Sequence, residues 1–170
     1  MAKADTNVDP HGLSALPFAA AGHFFKGNLH THCTQSDGDH SSEEVVRQYR
    51  EKGYDFLALS NHFLECYGYP VTDTQELRSQ DFTTLIAAEL HVGKLHNGET
   101  WHVLAVGLPL EFSPPEPHEG IEDLAKRAFD AGAYIGLVHP AWYGLAPEDA
   151  RVLPFAHAVE IYNHGSEIEE

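Results

Sequence analysis

The sequence predicts an α/β fold with mostly parallel strands. Apolar runs of strand length recur at Phe56–Ser60 (FLALS), Leu85–Leu90 (LIAAEL) and Tyr134–Val138 (YIGLV). Segments with helical spacing lie between them, and strand runs alternating with helices indicate βαβ units. At 170 residues and 42% hydrophobic content, one domain with a sizeable core is expected.

Residues 1–25 read as an irregular lead-in. Leu13 to Phe25 is partly apolar but broken by Pro17, Gly22 and His23, and no basic start precedes it, so a signal peptide is not expected. KGNLHTH (26–32) is the first strand candidate, and SDGD a turn. Ser41 with Glu44 three residues on has the capping-box pattern, Val45, Val46 and Tyr49 make an apolar stripe, and Gly53 suits a helix end. FLALS then ends at Asn61-His62. Residues 63–81 show no clear period. After LIAAEL, the turn pair Asn97-Gly98 precedes WHVLAVGL (101–108), and Pro114, Pro115 and Pro117 mark a loop. Ile121, Leu124, Ala125, Ala128 and Phe129 give an amphipathic helix closed by Gly132. YIGLV stops at His139-Pro140, a short helix can begin at Pro147, and AVEIYN (158–163) is a last strand candidate.

Acidic residues outnumber basic ones 26 to 10, a formal charge of −16. With no basic excess to release counterions, nucleic acid held through its phosphates is not the expected partner. No apolar run is long enough to span a membrane. Cys33 and Cys66 have no CxxC spacing, so neither a zinc knuckle nor a disulfide framework is indicated, and a reducing compartment, the cytoplasm, is expected. The sequence does not give the oligomeric state.

Thirteen histidines are the chemical signal. His30 and His32 lie at the end of the first strand run, where an i, i+2 pair shares a face. His62 lies just past the second run, Glu89 near the end of the third, and His139 closes YIGLV. In parallel α/β folds the C-terminal strand ends surround one mouth. A lone histidine there is usually an ordinary hydrogen-bonded residue, but the repetition points to a metal site. Glu89 strengthens it, since a buried carboxylate is costly unless paired or metal-bound. Asp37 reads either as a turn residue or as a ligand. His102 opens its run instead of closing it, and reaches the mouth only on an antiparallel strand or an entering loop. His91, His96, His118 and His157 fall off the pattern and read as solvated or structural. Alternation sends Cys33 away from His30 and His32. His164 is a weak candidate for lining the mouth.

The stretches NLHTHCTQSDG, LALSNH, IAAELHV, WHVLAVGL and GLVHP, from about Gly27 to Asn163, resemble the PHP (polymerase and histidinol phosphatase) domain, in spacing most like its stand-alone metallohydrolases, among them carbamate hydrolases. The resemblance implies a distorted (β/α)7 barrel over residues 26–170 and two or three divalent ions (Zn, Mn or Fe). It assigns His30 and His32 to one metal, Glu89 as a bridge to a second held by His102 and His139, and Asp37 and His62 to a third. Glu89, His102 and His139 would carry catalysis. The family pattern ends in an Asp-x-His motif after a further helix, and no such motif follows Asn163 in the seven residues to Glu170. An incomplete barrel is therefore expected, with the first and third sites each short of a ligand and the second intact. The expected activity is metal-dependent hydrolysis of a small molecule, above all a phosphoester, with a carbamate, amide or ester as alternative substrate. A catalytically inactive metal-binding module is the rival. A polymerase-associated proofreading domain is disfavoured by charge and length.

Overall fold

Strand patterning of period two builds one curved sheet, seen in a computed structural model that describes residues 22–166. The strands are β1 (Gly27–Asn28), β2 (Phe56–Leu59), β3 (His62–Phe63), β4 (Thr83–Leu90), β5 (Val103–Val106), β6 (Tyr134–Leu137) and β7 (Ala158–Val159). They run in the order β1-β2-β4-β5-β6-β7, with β3 paired to the C-terminal end of β4. Most of the lead-in, and with it the expectation of no signal peptide, lies outside the described residues.

The expected parallel sheet is found in part. β1, β2, β3 and β4 pair parallel, as do β6 and β7. β5 is antiparallel to both β4 and β6. The cause is the Asn97-Gly98 turn, where Gly98 takes φ +90° and its N–H bonds to Leu95 O, so the chain doubles back beside β4. No helix links β2 to β4 either. That connection has Gly68 at φ +74° and two short 3₁₀ turns, Glu65–Tyr67 and Gln75–Leu77. Two strands are shorter than expected: KGNLHTH leaves the sheet after Asn28, and AVEIYN pairs only through Ala158 and Val159. The sheet is a half-barrel, and a regular alternation of seven strands and seven helices is not what these residues form.

The helices are α1 (Ser42–Glu51), α2 (Ile121–Asp130) and α3 (Pro147–Ala150). Ser41 Oγ accepts from Glu44 N–H as its N-cap. The second half of the capping box is replaced, since the Glu44 carboxylate takes Arg47 and Gln48 instead. Gly132 follows α2 at φ +95°. Leu124, Ala125 and Ala128 of α2 pack on Leu90, Val103, Ile135 and Leu137 on the outer face of the sheet. Val45 and Val46 of α1 pack on Leu57 and Leu59, with Cys33 beneath them. Full burial stabilises each Leu by about 1.5–3 kcal/mol.

The other face carries Ala58, Ala87, Leu104, Val106 and Val138, an inner cluster of small and medium side chains. Glu89 has the parity of Ala87, and His102 that of Leu104, so the two point to the same inner side. Because β5 runs antiparallel, its N-terminal end lies at the C-terminal end of β4. This answers the open question about His102: the residue that opens its strand sits beside residues that follow theirs.

Candidate metal centre

One carboxylate organises the mouth. Glu89 is fully buried, and six imidazoles crowd its two oxygens. Oε1 lies 2.7 Å from His102 Nδ1 and 3.2 Å from His139 Nε2. Oε2 lies 2.8 Å from His62 Nδ1, 3.2 Å from His32 Nε2 and 3.5 Å from His30 Nε2. Asp37 stands on the outer side, with Oδ1 2.7 Å from His32 Nδ1 and Oδ2 3.2 Å from His62 Nε2. The structure thus brings all seven sequence-predicted residues to one place.

Burial alone would raise the Glu89 pKa. Hydrogen bonds to Oε1 from His102 and His139, with His30 and His32 close to Oε2, outweigh it and hold the carboxyl well below its usual range. Burial likewise opposes charge on His30, but Glu160 and Glu89 overcome it and lift this imidazole to about 9. Three carboxylates, Glu89, Asp37 and Glu160, thus line the pocket among imidazole nitrogens.

These residues fit divalent cations. His32 Nε2 and Glu89 Oε2, both buried, face each other at 3.2 Å, yet neither has an aligned hydrogen-bond partner among the described residues. Buried lone pairs left this way are satisfied by an ion as well as by water. Imidazole and carboxylate suit Zn, Fe and Mn. Three ligand groups arise within 4.8 Å spans: His30, Glu89 and His139; His32, Asp37 and His62; and His62, Glu89, His91 and His102.

Two residues in this arrangement were not expected. His91, read from sequence as structural or solvated, is buried with Nε2 2.7 Å from His62 Nδ1. Its signal was parity, since 87, 89 and 91 share a face. Glu160 follows β7, bonds His30 Nδ1 through Oε1 at 3.2 Å and accepts the His139 N–H through Oε2 at 2.8 Å. It orients one ligand candidate and pins the backbone of another. His139 has φ +25°, a strained value for a side-chain-bearing residue, and strain of this kind gathers at functional sites. Among the remaining histidines, His96 pairs with Asp149 at 2.6 Å and His157 stacks on Tyr134, both away from the mouth, while His118 is exposed.

A cavity of about 840 Å³ opens over the cluster, walled by Tyr49, Tyr54, Trp142, Tyr162 and Asn163, with His164 on its rim. This volume suits a small-molecule ligand.

The fold matches solved structures. A two-domain protein of Bacteroides vulgatus, described as containing a PHP-like metal-dependent phosphoesterase, superposes with a TM-score of 0.59 at 19% identity, over 81% of this chain and 44% of that one. A protein of Bifidobacterium adolescentis, described as a metal-dependent phosphoesterase, gives 0.57 at 12% identity, over 81% and 77%. The chain has a PHP-type fold. An amidohydrolase of Chromobacterium violaceum, solved with sulfate and no metal, gives 0.54 at 13% identity, over 79% and 76%. The chain thus spans under half of the first of these proteins and about three quarters of the other two. No protein-family model and no curated protein matches the sequence.

The PHP-type mouth depends on a tight loop. Thr34 N–H bonds His40 O, and the N–H groups of Ser36 and Gly38 both reach Cys33 O, which sets Asp37 against His32. A Cβ on Gly38 would stand 2.7 Å from Cys33 Cα, Cys33 N and His32 C, all backbone atoms that cannot yield. Gly38→Ala is expected to lower stability by about 1–3 kcal/mol, as overpacking does, and to weaken metal binding. Thermal melts and metal titration of the variant check both.

Proposed function

We propose that this chain is the metal-binding unit of a metal-dependent hydrolase whose substrate is a small phosphoester. The observation that carries the reading is Glu89, a buried carboxylate with one oxygen facing His102 and His139 and the other facing His30, His32 and His62. A carboxylate placed so can bridge two ions. His30 and His32 would hold the first ion, His102 and His139 the second, and Asp37 with His62 a third. When bound, Zn, Mn or Fe supplies Lewis acidity, which neutralises charge on substrate oxygens and makes a water acidic near neutral pH. It also lets so acidic a chain hold an anionic substrate.

The chain's own residues do the rest. Glu160 fixes the ring of His30, and the Tyr143 hydroxyl, bonded to His102 O at 3.3 Å, steadies the second histidine set. Burial pushes the Tyr143 pKa up, so it stays a neutral donor. Trp142 packs edge-on against His102 and His139 and walls the cavity beside them. No helix of the described residues is long and apolar enough to cross a membrane.

The amidohydrolase likeness favours an amide or carbamate as the second substrate reading. Elemental analysis of purified protein, followed by assays with an aryl phosphate, an aryl ester, an aryl carbamate and single-stranded DNA under added Mn, Zn or Fe, tests all of these. Two or three metal equivalents with phosphate release are expected. Turnover of the carbamate or ester alone moves the substrate class, DNA cleavage revives the proofreading reading, and metal without turnover leaves a binding module. Protein that binds no ion overturns the proposal.

A further inference from the structure

His91 is the candidate ligand that neither the sequence pattern nor the three-centre assignment includes. It is buried at the end of β4, on the Glu89 face, and its Nδ1 lies 3.0 Å from Trp101 O. A carbonyl only accepts, so Nδ1 carries the proton and donates it. A neutral imidazole has one donor nitrogen and one acceptor, so Nε2 is left with its lone pair. That lone pair faces His62 Nδ1 at 2.7 Å and Glu89 Oε2 at 3.6 Å. A ring nitrogen aimed at a cation while its partner N–H is anchored on a carbonyl is the usual posture of a metal-ligating histidine.

The surroundings bear on the alternative, a plain hydrogen bond. His62 Nδ1 has two close acceptors, His91 Nε2 at 2.7 Å and Glu89 Oε2 at 2.8 Å. One N–H on His62 cannot satisfy both well, whereas a cation among them satisfies every lone pair. His102 Nδ1 completes a four-residue corner with His62, Glu89 and His91.

We propose that His91 Nε2 is an additional metal ligand, joining His62, His102 and Glu89 around one divalent ion, a regrouping of the three centres above that leaves His139 with His30 and Asp37 with His32, and that this corner selects nitrogen-preferring ions such as Zn²⁺ or Co²⁺ over Mn²⁺. Three imidazoles and one carboxylate are a donor set for zinc, whereas Mn²⁺ favours oxygen-rich sets. The inference rests on the metal centre proposed above but makes a separate claim about one residue.

The test is cobalt titration of the full chain, read by its visible d–d absorption and by calorimetry, in wild type and His91→Asn. The Asn amide can replace Nδ1 as donor to Trp101 O and has no atom at the Nε2 position, so the fold is spared while the ligand is lost. Removing a ligand should exceed the roughly 10–100-fold effect of removing a supporting residue. One Co²⁺ site is therefore expected to weaken by more than about 100-fold, with a weaker, shifted d–d band, and the Zn-over-Mn preference should fall. If His91→Asn does not fold, His91→Phe, of similar bulk and without donor atoms, is read the same way. A folded His91 variant with wild-type affinity and spectrum overturns this inference alone. A wild type that binds no ion overturns both it and the proposed metal centre.

Discussion

Glu89→Gln is expected to leave the protein folded but unable to hold its bridged metals, with turnover reduced by about a thousandfold or more. Gln preserves the volume and one oxygen but removes the charge that six imidazoles surround. A bridging ion pair contributes several kcal/mol of charge stabilisation in the transition state, and about 4 kcal/mol corresponds to a thousandfold in rate. Without metal the folded state should also lose some stability, since the histidines that hold the Glu89 carboxyl below its usual range favour its charge, and that loss is common to measurements with and without metal. The signature is therefore in metal response. Wild type should gain about 2.7 kcal/mol of stability at ligand concentrations of 100 times Kd, and Glu89→Gln almost none. Thermal melts with and without Zn or Mn, beside elemental analysis, make the comparison. A Glu89→Gln protein with wild-type metal content and turnover would end the bridging reading.

Glu89 also shows why part of this site was legible in sequence. A carboxylate inside an apolar run announces itself, because burial without a partner is costly. His30, His32, His62 and His139 announce themselves by falling at strand ends. What sequence could not give was direction. Whether β5 runs with or against β4 depends on the Asn97-Gly98 turn and on pairing between Glu89 and Leu104, so the place of His102 stayed open until the pairing was known. His91 was missed because the apolar run stops at Leu90, although the alternation continues one residue further. Glu160 was missed because it looks like one more strand residue in AVEIYN, and its contact with His30 spans 130 positions of sequence. Local patterning marks elements and their ends; long-range register decides which polar groups meet.

Register at the mouth is held by one buried amide, and Asn61→Ala is expected to be the most destabilising single change away from the apolar core. Asn61 is fully buried where the chain passes from β2 to β3. Its Oδ1 accepts from Cys33 N–H at 2.8 Å and Ser36 Oγ at 3.0 Å, while its Nδ2 donates to Thr72 Oγ1 at 2.7 Å and to Cys33 Sγ at 3.2 Å. One side chain thus ties the loop after His32 to the segment that precedes His62. Alanine strands the Cys33 N–H in a site closed to water, and each orphaned buried group costs about 1–3 kcal/mol. With the lost packing, about 2–4 kcal/mol is expected, or a fall in Tm of roughly 5–15 °C for a chain of this size. Thr72→Val removes one partner of Asn61 together with the bond from Thr72 Oγ1 to Gln35 Oε1, and should cost about 1–2 kcal/mol. The loss should reach the metal centre too, since Cys33 follows His32 and the Cys33 carbonyl anchors the loop that carries Asp37. Asn61→Ala should therefore bind metal more weakly even below its melting temperature, whereas Thr72→Val should bind nearly as wild type does. Denaturant unfolding and metal titration of the two variants separate these effects. An Asn61→Ala protein within 0.5 kcal/mol of wild type, a change typical of exposed positions, would mean that the loop and the sheet hold their register without this amide.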